Sequence, residues 1–325
     1  MIRPSLTLLN RFSYTSGPSK YGIYPLLPPS FAMTSYPHIR PVPSSIPRPD
    51  YVPSNFFTAD WGEHDSVDMK EADAEQIELG GDGEKRVREA AGMARDVLKE
   101  VGKLIRPGIT TNELDKAVHD LIVSKGAYPS PLGYSSYPRS CTTSINNVIA
   151  LSLYYDPTSR PLHPEDIINI DLTLFYKGYH GDTSATFLLP EVDEQGTDLV
   201  EATKEALEVG IKACRPGRKY KDIGKEIEES AKRHGFSVNG QFSGHGIGNV
   251  FHRPPWIFHC RNDEPGEMVP GDCFTIEPCL VQGRNSRGKL WDDGWTMVTE
   301  SGARSAQFEH QVLVTEDGVD VLTRI

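Results

Sequence analysis

Residues 165–175 read Glu-Asp-Ile-Ile-Asn-Ile-Asp-Leu-Thr-Leu-Phe. The density of Ile and Leu over so short a run reads as a buried strand, and Asp171 sits in its middle. An isolated ionised carboxylate in that setting costs several kcal/mol, so Asp171 needs a partner. A second strand-like run follows at 183–189, and between the two lies His180-Gly181-Asp182-Thr183, with another acid. Further out, short strand-like runs separated by turn residues occupy 272–280, 295–300 and 311–315.

Upstream, the period changes to that of helices. Val87, Ala91, Ala94, Leu98, Val101 and Ile105 recur at spacings of three and four from about residue 84, until Pro107-Gly108 stops the stripe. A second helix is expected after Thr111, with Leu114, Val118, Leu121 and Ile122 on one face and Gly126 at its end. Two more are expected at about 198–212 and 221–234. Paired helices followed by strands, twice over, predict an α+β domain with two related halves, although no sequence identity joins them.

Composition excludes several classes. The 325 residues are 38% hydrophobic and contain no run of about 18 apolar residues, so no membrane span is expected. Five cysteines, an odd number without a CxxC pair, argue against a disulfide framework. Residues 1–49 hold Arg3, Arg11, Lys20, Arg40 and Arg48 but no acid, which leaves 29 of the 34 basic residues against all 45 acids in the remainder. A body of that sign repels nucleic acid. The Ser, Thr and Pro content of 1–49 matches a disordered organelle transit leader, mitochondrial in the first instance, with plastid and cytoplasmic placements as the alternatives. Residues 50–83 are expected to be an acidic linker, because 60–84 carry ten acids and one Lys. A catalytic domain is expected over 84–325.

Five side chains then stand out by context. Asp171 and Asp182 are joined by Glu277 in Phe-Thr-Ile-Glu-Pro, Glu309 in Gln-Phe-Glu-His, and His245 in Ser-Gly-His-Gly-Ile-Gly, where glycines allow close approach of backbone and ligand. One acid in a strand is usually salt-bridged or exposed at an edge. Four carboxylates with one imidazole, each in a distinctive string, can hold two divalent cations.

The strings Asn169-Ile-Asp171, Gly181-Asp182-Thr183, Gly244-His245-Gly246-Ile247-Gly248, Thr275-Ile-Glu277-Pro278 and Phe308-Glu309-His310 resemble the signature of the methionine aminopeptidases. Tyr128-Pro-Ser-Pro-Leu and Asp292-Asp-Gly-Trp295-Thr resemble the type 1 class, and Pro49-Asp-Tyr-Val its organellar members. The resemblance implies a pita-bread fold, two related helix-plus-strand halves around a central curved antiparallel sheet. It implies two divalent ions (Co, Mn, Fe or Zn) with Asp171 on one, Asp182 and Glu309 bridging, and His245 and Glu277 on the other. Glu277 is then the proton acceptor and His252 contacts the scissile peptide. Tyr134, Tyr137, Phe251 and Trp295 match the residues around the methionine side chain, and Thr142 stands where many members carry Cys. The implied substrates are peptides and nascent chains beginning with methionine, and a monomer is expected.

One segment departs from the family. After Ser144-Ile-Asn-Asn-Val-Ile-Ala150 the family continues with a histidine that helps move a proton to the leaving amine, whereas this chain reads Leu151-Ser-Leu-Tyr-Tyr-Asp-Pro-Thr-Ser159. Leu can neither donate nor accept a proton. Three origins fit: a gene-model or splicing artefact, a catalytically impaired or inactive peptide-binding relative, or replacement by His163.

Overall fold

A computed structural model describes residues 15–29, 38–60, 63–65, 76–149, 160–294 and 296–324. Four α-helices are present among them: α1 (Asp82–Gly102), α2 (Thr111–Ser124), α3 (Glu194–Lys212) and α4 (Tyr220–Arg233). A sheet of nine strands carries the rest of the framework. In chain order these are β1 (Tyr128–Pro129), β2 (Thr142–Ile145), β3 (Ile167–Tyr176), β4 (Tyr179–Leu188), β5 (Ser243–Gly246), β6 (Arg253–Phe258), β7 (Cys273–Ile276), β8 (Glu309–Val314) and β9 (Val319–Val321). Their order across the sheet is β1-β3-β4-β8-β7-β5-β6, with β2 also on β3 and β9 also on β8, and every pairing is antiparallel.

The expected helical stripe is where the sequence put it: Val87, Ala91, Ala94, Leu98 and Val101 are buried along α1. Helix α2 opens with a capping box, Thr110 receiving the Glu113 N–H while Glu113 reaches back to the Thr110 N–H. Helix α3 starts four residues before its apolar period does, because the Asp193 side chain accepts from Gly196 N at 2.9 Å and caps it. Strand β4 likewise starts before the expected 183, because Lys177 and Gly178, at φ 49° and 87°, turn the chain straight back from β3. The expected strand at 272–280 is two strands broken at Pro278: β7 in the main sheet, and Cys279–Gln282 in a three-stranded sheet with Phe236–Val238 and Ser305–Gln307.

The alternation of side chains divides the main sheet into two faces. Ile168, Ile170, Leu172 and Leu174 of β3 pack in one cluster with Ala94 and Leu98 of α1 and Val118 and Ile122 of α2. Phe274 and Ile276 of β7 and Val312 and Val314 of β8 pack in a second cluster with Leu207 and Ile211 of α3 and Ile223 and Ile227 of α4. Each helix pair therefore covers one half of the same apolar face. The other face carries the alternate residues of β3, β7 and β8, which are mostly polar. This is the pita-bread arrangement, α+β with an antiparallel sheet wrapped by two helix pairs.

Disorder does not describe residues 15–29 and 38–60. Tyr21 and Tyr24 pack with Val281 and Ala303, and Leu27 exchanges hydrogen bonds with the Asn147 side chain. Val52 and Phe56 pack with Tyr128 and Leu132. Transit-like composition measured charge and proline, but these few aromatic and aliphatic side chains bury enough surface to hold the segment on the body. The remaining residues of 1–49 lie outside the described residues. No helix among the described residues is long and apolar enough to cross a membrane.

Candidate metal centre

Strand register brings the five singled-out residues to one face. Asp171 of β3 and Glu309 of β8 both pair with Ser184 of β4, from opposite sides. Asp182, two residues before Ser184, shares that face and pairs with Thr173. On β7, Thr275 pairs with Gln311, two residues beyond Glu309, so Glu277 follows on the same side. The pairing of Gly246 with Phe274 turns the neighbouring His245 to that side as well. All five are at most 8% exposed.

Ligand atoms of Asp182, His245 and Glu309 lie within 4.8 Å of one another. His245 Nε2 is 3.7 Å from Asp182 Oδ2 and 3.6 Å from Glu277 Oε1. Its Nδ1 lies 3.2 Å from Gly246 O, a carbonyl that only accepts, so Nδ1 carries the proton and Nε2 offers its lone pair to the site. The glycines around His245 serve the backbone: a Cβ on Gly244 would sit 2.3 Å from Thr275 O. They let β5 approach β7 closely, whereas the sequence reading gave them to a ligand.

The electrostatics are those of concentrated negative charge without a counter-charge. Burial pushes the Asp182 carboxyl up to about 7. Burial first, then repulsion from the neighbouring carboxylates, raises Asp171, Glu277 and Glu309 well above the ordinary range. Burial also lowers His245 to about 4, so the imidazole is neutral. Among the described residues, Asp182 and Glu277 lie beside the neutral His245, and none of the four carboxylates pairs with a Lys or Arg. Glu309 Oε2 is buried without a hydrogen-bond partner among the described residues. Four carboxylates and a neutral imidazole, short of positive charge and with an acceptor left over, fit divalent first-row metals.

A set of supporting residues escaped the sequence reading. Thr173 Oγ1 donates to Asp182 Oδ1 at 2.7 Å, and Thr275 Oγ1 to Glu277 Oε1 at 2.8 Å. Gln307 Nε2 reaches Glu277 Oε2 at 3.3 Å, and Gln311 Oε1 accepts from Asp182 N at 3.1 Å. His259, 2% exposed, accepts the Glu277 N–H on Nε2 at 3.0 Å. Their signal was available in part: Thr173, Thr275 and Gln311 are polar residues at every second position of strands whose other face is apolar.

The expected substrate-side residues divide. His252 joins the centre, its ring 4.2 Å from that of His245, with Nδ1 buried and lacking a hydrogen-bond partner among the described residues. Tyr134 lies 5.0 Å from Phe251 and 4.9 Å from His252. Tyr137 is 2% exposed and donates to Cys141 O at 3.0 Å. Thr142 pairs with Asp171 across β2 and β3, and its buried Oγ1 lacks a partner among the described residues. Trp295 and Leu151 lie outside the described residues. His163 pairs with Glu165.

A family model described as metallopeptidase family M24 matches residues 85–316. Methionine aminopeptidase 1D, chloroplastic/mitochondrial, of Arabidopsis thaliana is 47% identical over 286 residues, spanning 88% of this chain and 77% of that one. Methionine aminopeptidase 1D, mitochondrial, of Homo sapiens is 44% identical over 286 residues, 88% of this chain and 81% of that one. Among solved structures, methionine aminopeptidase from Rickettsia prowazekii superposes with a TM-score of 0.73 at 37% identity, over 77% of this chain and 99% of that chain.

Proposed function

The chain belongs to metallopeptidase family M24, and on that premise we propose that it is a metal-dependent aminopeptidase removing N-terminal methionine from nascent chains whose second residue is small. The observation that carries this reading is the convergence of Asp171, Asp182, His245, Glu277 and Glu309 on the one polar face of the sheet.

In this reading the five residues hold two divalent ions. Asp171 would hold the first, His245 and Glu277 the second, and Asp182 and Glu309 would serve both. Bound there, Co, Mn, Fe or Zn supplies Lewis acidity toward a peptide carbonyl and acidifies water. Glu277, fixed by Thr275 and Gln307, takes up the proton released by the attacking water. His252, with its buried Nδ1 open, hydrogen-bonds the scissile peptide. Tyr134 and Phe251, together with Tyr137 and Trp295, surround the methionine side chain, whose thioether packs well against ring edges and faces. We assign the chain to the mitochondrion and to a monomeric state, with nucleic acid excluded as a partner by the acidic body.

The test is release of methionine from Met-Ala-Ser and Met-Leu-Ser by the purified chain with Mn or Co. Met-Ala-Ser is cleaved and Met-Leu-Ser spared. Leu151→His restores an imidazole for the leaving amine and raises kcat by about 10²–10⁴-fold. If neither the wild-type chain nor Leu151→His releases methionine, the reading is wrong and the inactive, peptide-binding alternative takes its place.

A further inference from the structure

The segment ahead of the family domain places an aromatic ring among those of the substrate side. Tyr51 stands edge-on to Tyr134, ring centres 5.0 Å apart at 86°. It lies nearly parallel to His180 at 6.1 Å, and 6.2 Å from Phe251. Tyr134 and Phe251 in turn border His252, whose ring touches that of His245. The rings thus gather in one cluster, buried at Phe251 and His180 and half-buried at Tyr51, Tyr134 and His252, with Tyr51 one ring removed from His245.

Tyr51 is aimed and braced. Its hydroxyl donates to Ser130 O at 2.6 Å, and the Ser130 hydroxyl lies 2.8 Å from His180 Nδ1. The phenol oxygen is therefore occupied by Ser130, and the ring is what faces Tyr134, His180 and Phe251. The next residues pack on the run that carries Tyr134. Gly133 has φ 88°, and Ser135 and Ser136 follow at 48° and 63°, a strained run with Tyr134 inside it. A Cβ on Gly133 would stand 2.9 Å from Val52 Cγ1 and 3.4 Å from Phe56 Cδ1, so these two side chains pack directly on that run. Arg40 ties the start of the segment to α2 through Asp115 at 3.1 Å and Asn112 Oδ1 at 2.7 Å.

We propose that Tyr51 is a specificity-determining residue, a wall of the pocket for the N-terminal methionine side chain contributed by the segment preceding the family domain. The proposal rests on the aminopeptidase reading above. Its chemistry is a thioether against a ring: sulfur and flexible methylenes adapt to tilted aromatic faces in a way that a branched side chain does not. Removing the ring therefore weakens binding of methionine more than binding of leucine, and narrows the choice between them.

The experiment uses the full-length chain loaded with Mn, release from Met-Ala-Ser and Leu-Ala-Ser, and calorimetric titration with L-methionine. Tyr51→Phe keeps the ring and stays within about twofold of wild type in KM. Tyr51→Ala raises KM for Met-Ala-Ser and weakens L-methionine about tenfold, leaves kcat within about threefold, and lowers the methionine-over-leucine ratio about tenfold. Phe57→Ala, which trims the same cluster one residue beyond Phe56, lowers the melting temperature without moving that ratio. If Tyr51→Ala does not fold, Tyr51→Leu reads the same ratio. A wild-type enzyme that cleaves Met-Ala-Ser but whose ratio is unmoved by Tyr51→Ala or Tyr51→Leu overturns this inference alone. A wild-type chain that neither cleaves the peptide nor binds L-methionine overturns the aminopeptidase reading and this inference with it.

Discussion

Glu277 Oε1 stands 3.6 Å from His245 Nε2, beyond a good hydrogen bond. Two donors each about 2.1 Å from one small cation come about 3–4 Å apart, so this separation would let both groups reach one ion in the reading proposed above. The same holds for His245 and Asp182 at 3.7 Å. The carboxylates have no Lys or Arg opposite them among the described residues, and burial with mutual repulsion disfavours their charged forms.

Metal addition should therefore stabilise the chelated protein. At a free concentration about a hundred times Kd, Mn contributes about 2.7 kcal/mol. Asp182→Asn removes one buried charge, so it raises the melting temperature of the metal-free protein and abolishes the response to Mn. Differential scanning calorimetry with and without chelator reads both effects. A wild-type melt insensitive to Mn and Co speaks against a metal centre at these residues.

The strap formed by residues 15–29 is expected to be part of the folded unit. Arg304 is fully buried, donates to Tyr21 O at 2.8 Å, pairs with Asp193 at 2.5 Å and lies over the Tyr24 ring at 4.6 Å. Asp193 also accepts from Ile23 N at 2.5 Å, and Asn146 Nδ2 donates to Pro25 O at 2.8 Å. Starting the chain at residue 30 strips these partners from a buried guanidinium and should cost about 3 kcal/mol relative to a chain starting at Thr15. Urea midpoints compare the two, and equal midpoints would mean that the strap only rests on the surface.

Acid should loosen the segment that carries Tyr51. His119 is buried between Ser140 Oγ at 2.8 Å and Pro41 O at 3.1 Å, and burial holds its pKa below the ordinary value. Folded chains keep it neutral where unfolded chains bind a proton, below a pH of about 6.5. Its contribution to stability is therefore complete above that pH and declines as pH falls toward the lowered value. His119→Gln should flatten the decline of the urea midpoint between about pH 6.5 and 5. A variant as acid-sensitive as wild type would place the titration elsewhere.

Much of the fold was legible before any coordinates. The stripe from Val87 to Val101 and the Ile/Leu positions of β3 announced their elements, because period and burial coincide there. Errors fell where another force set the boundary. A side-chain cap at Asp193 started α3 early, a two-residue turn at Lys177 started β4 early, and Pro278 split one expected strand between two sheets. Packing at Tyr21, Tyr24 and Leu27 was not legible, because charge balance says nothing about whether a few aromatics find a surface to cover.

Sequence alone determined which residues must meet. Four carboxylates and an imidazole, each in a strand-like or glycine-flanked string, stood out as one set, and burying them together calls for positive charge from elsewhere. Only the tertiary structure decided how they meet and who attends them. Register places Asp171 and Ser184 side by side with Glu309, more than a hundred residues further along the chain, and burial leaves His259, Gln307 and Gln311 as donors and acceptors around the site. It also carries Tyr51, which precedes the family domain, to the rings of Tyr134, His180 and Phe251. Pairing across a sheet depends on which strand lies next to which, and the one-dimensional order of residues does not contain that neighbour.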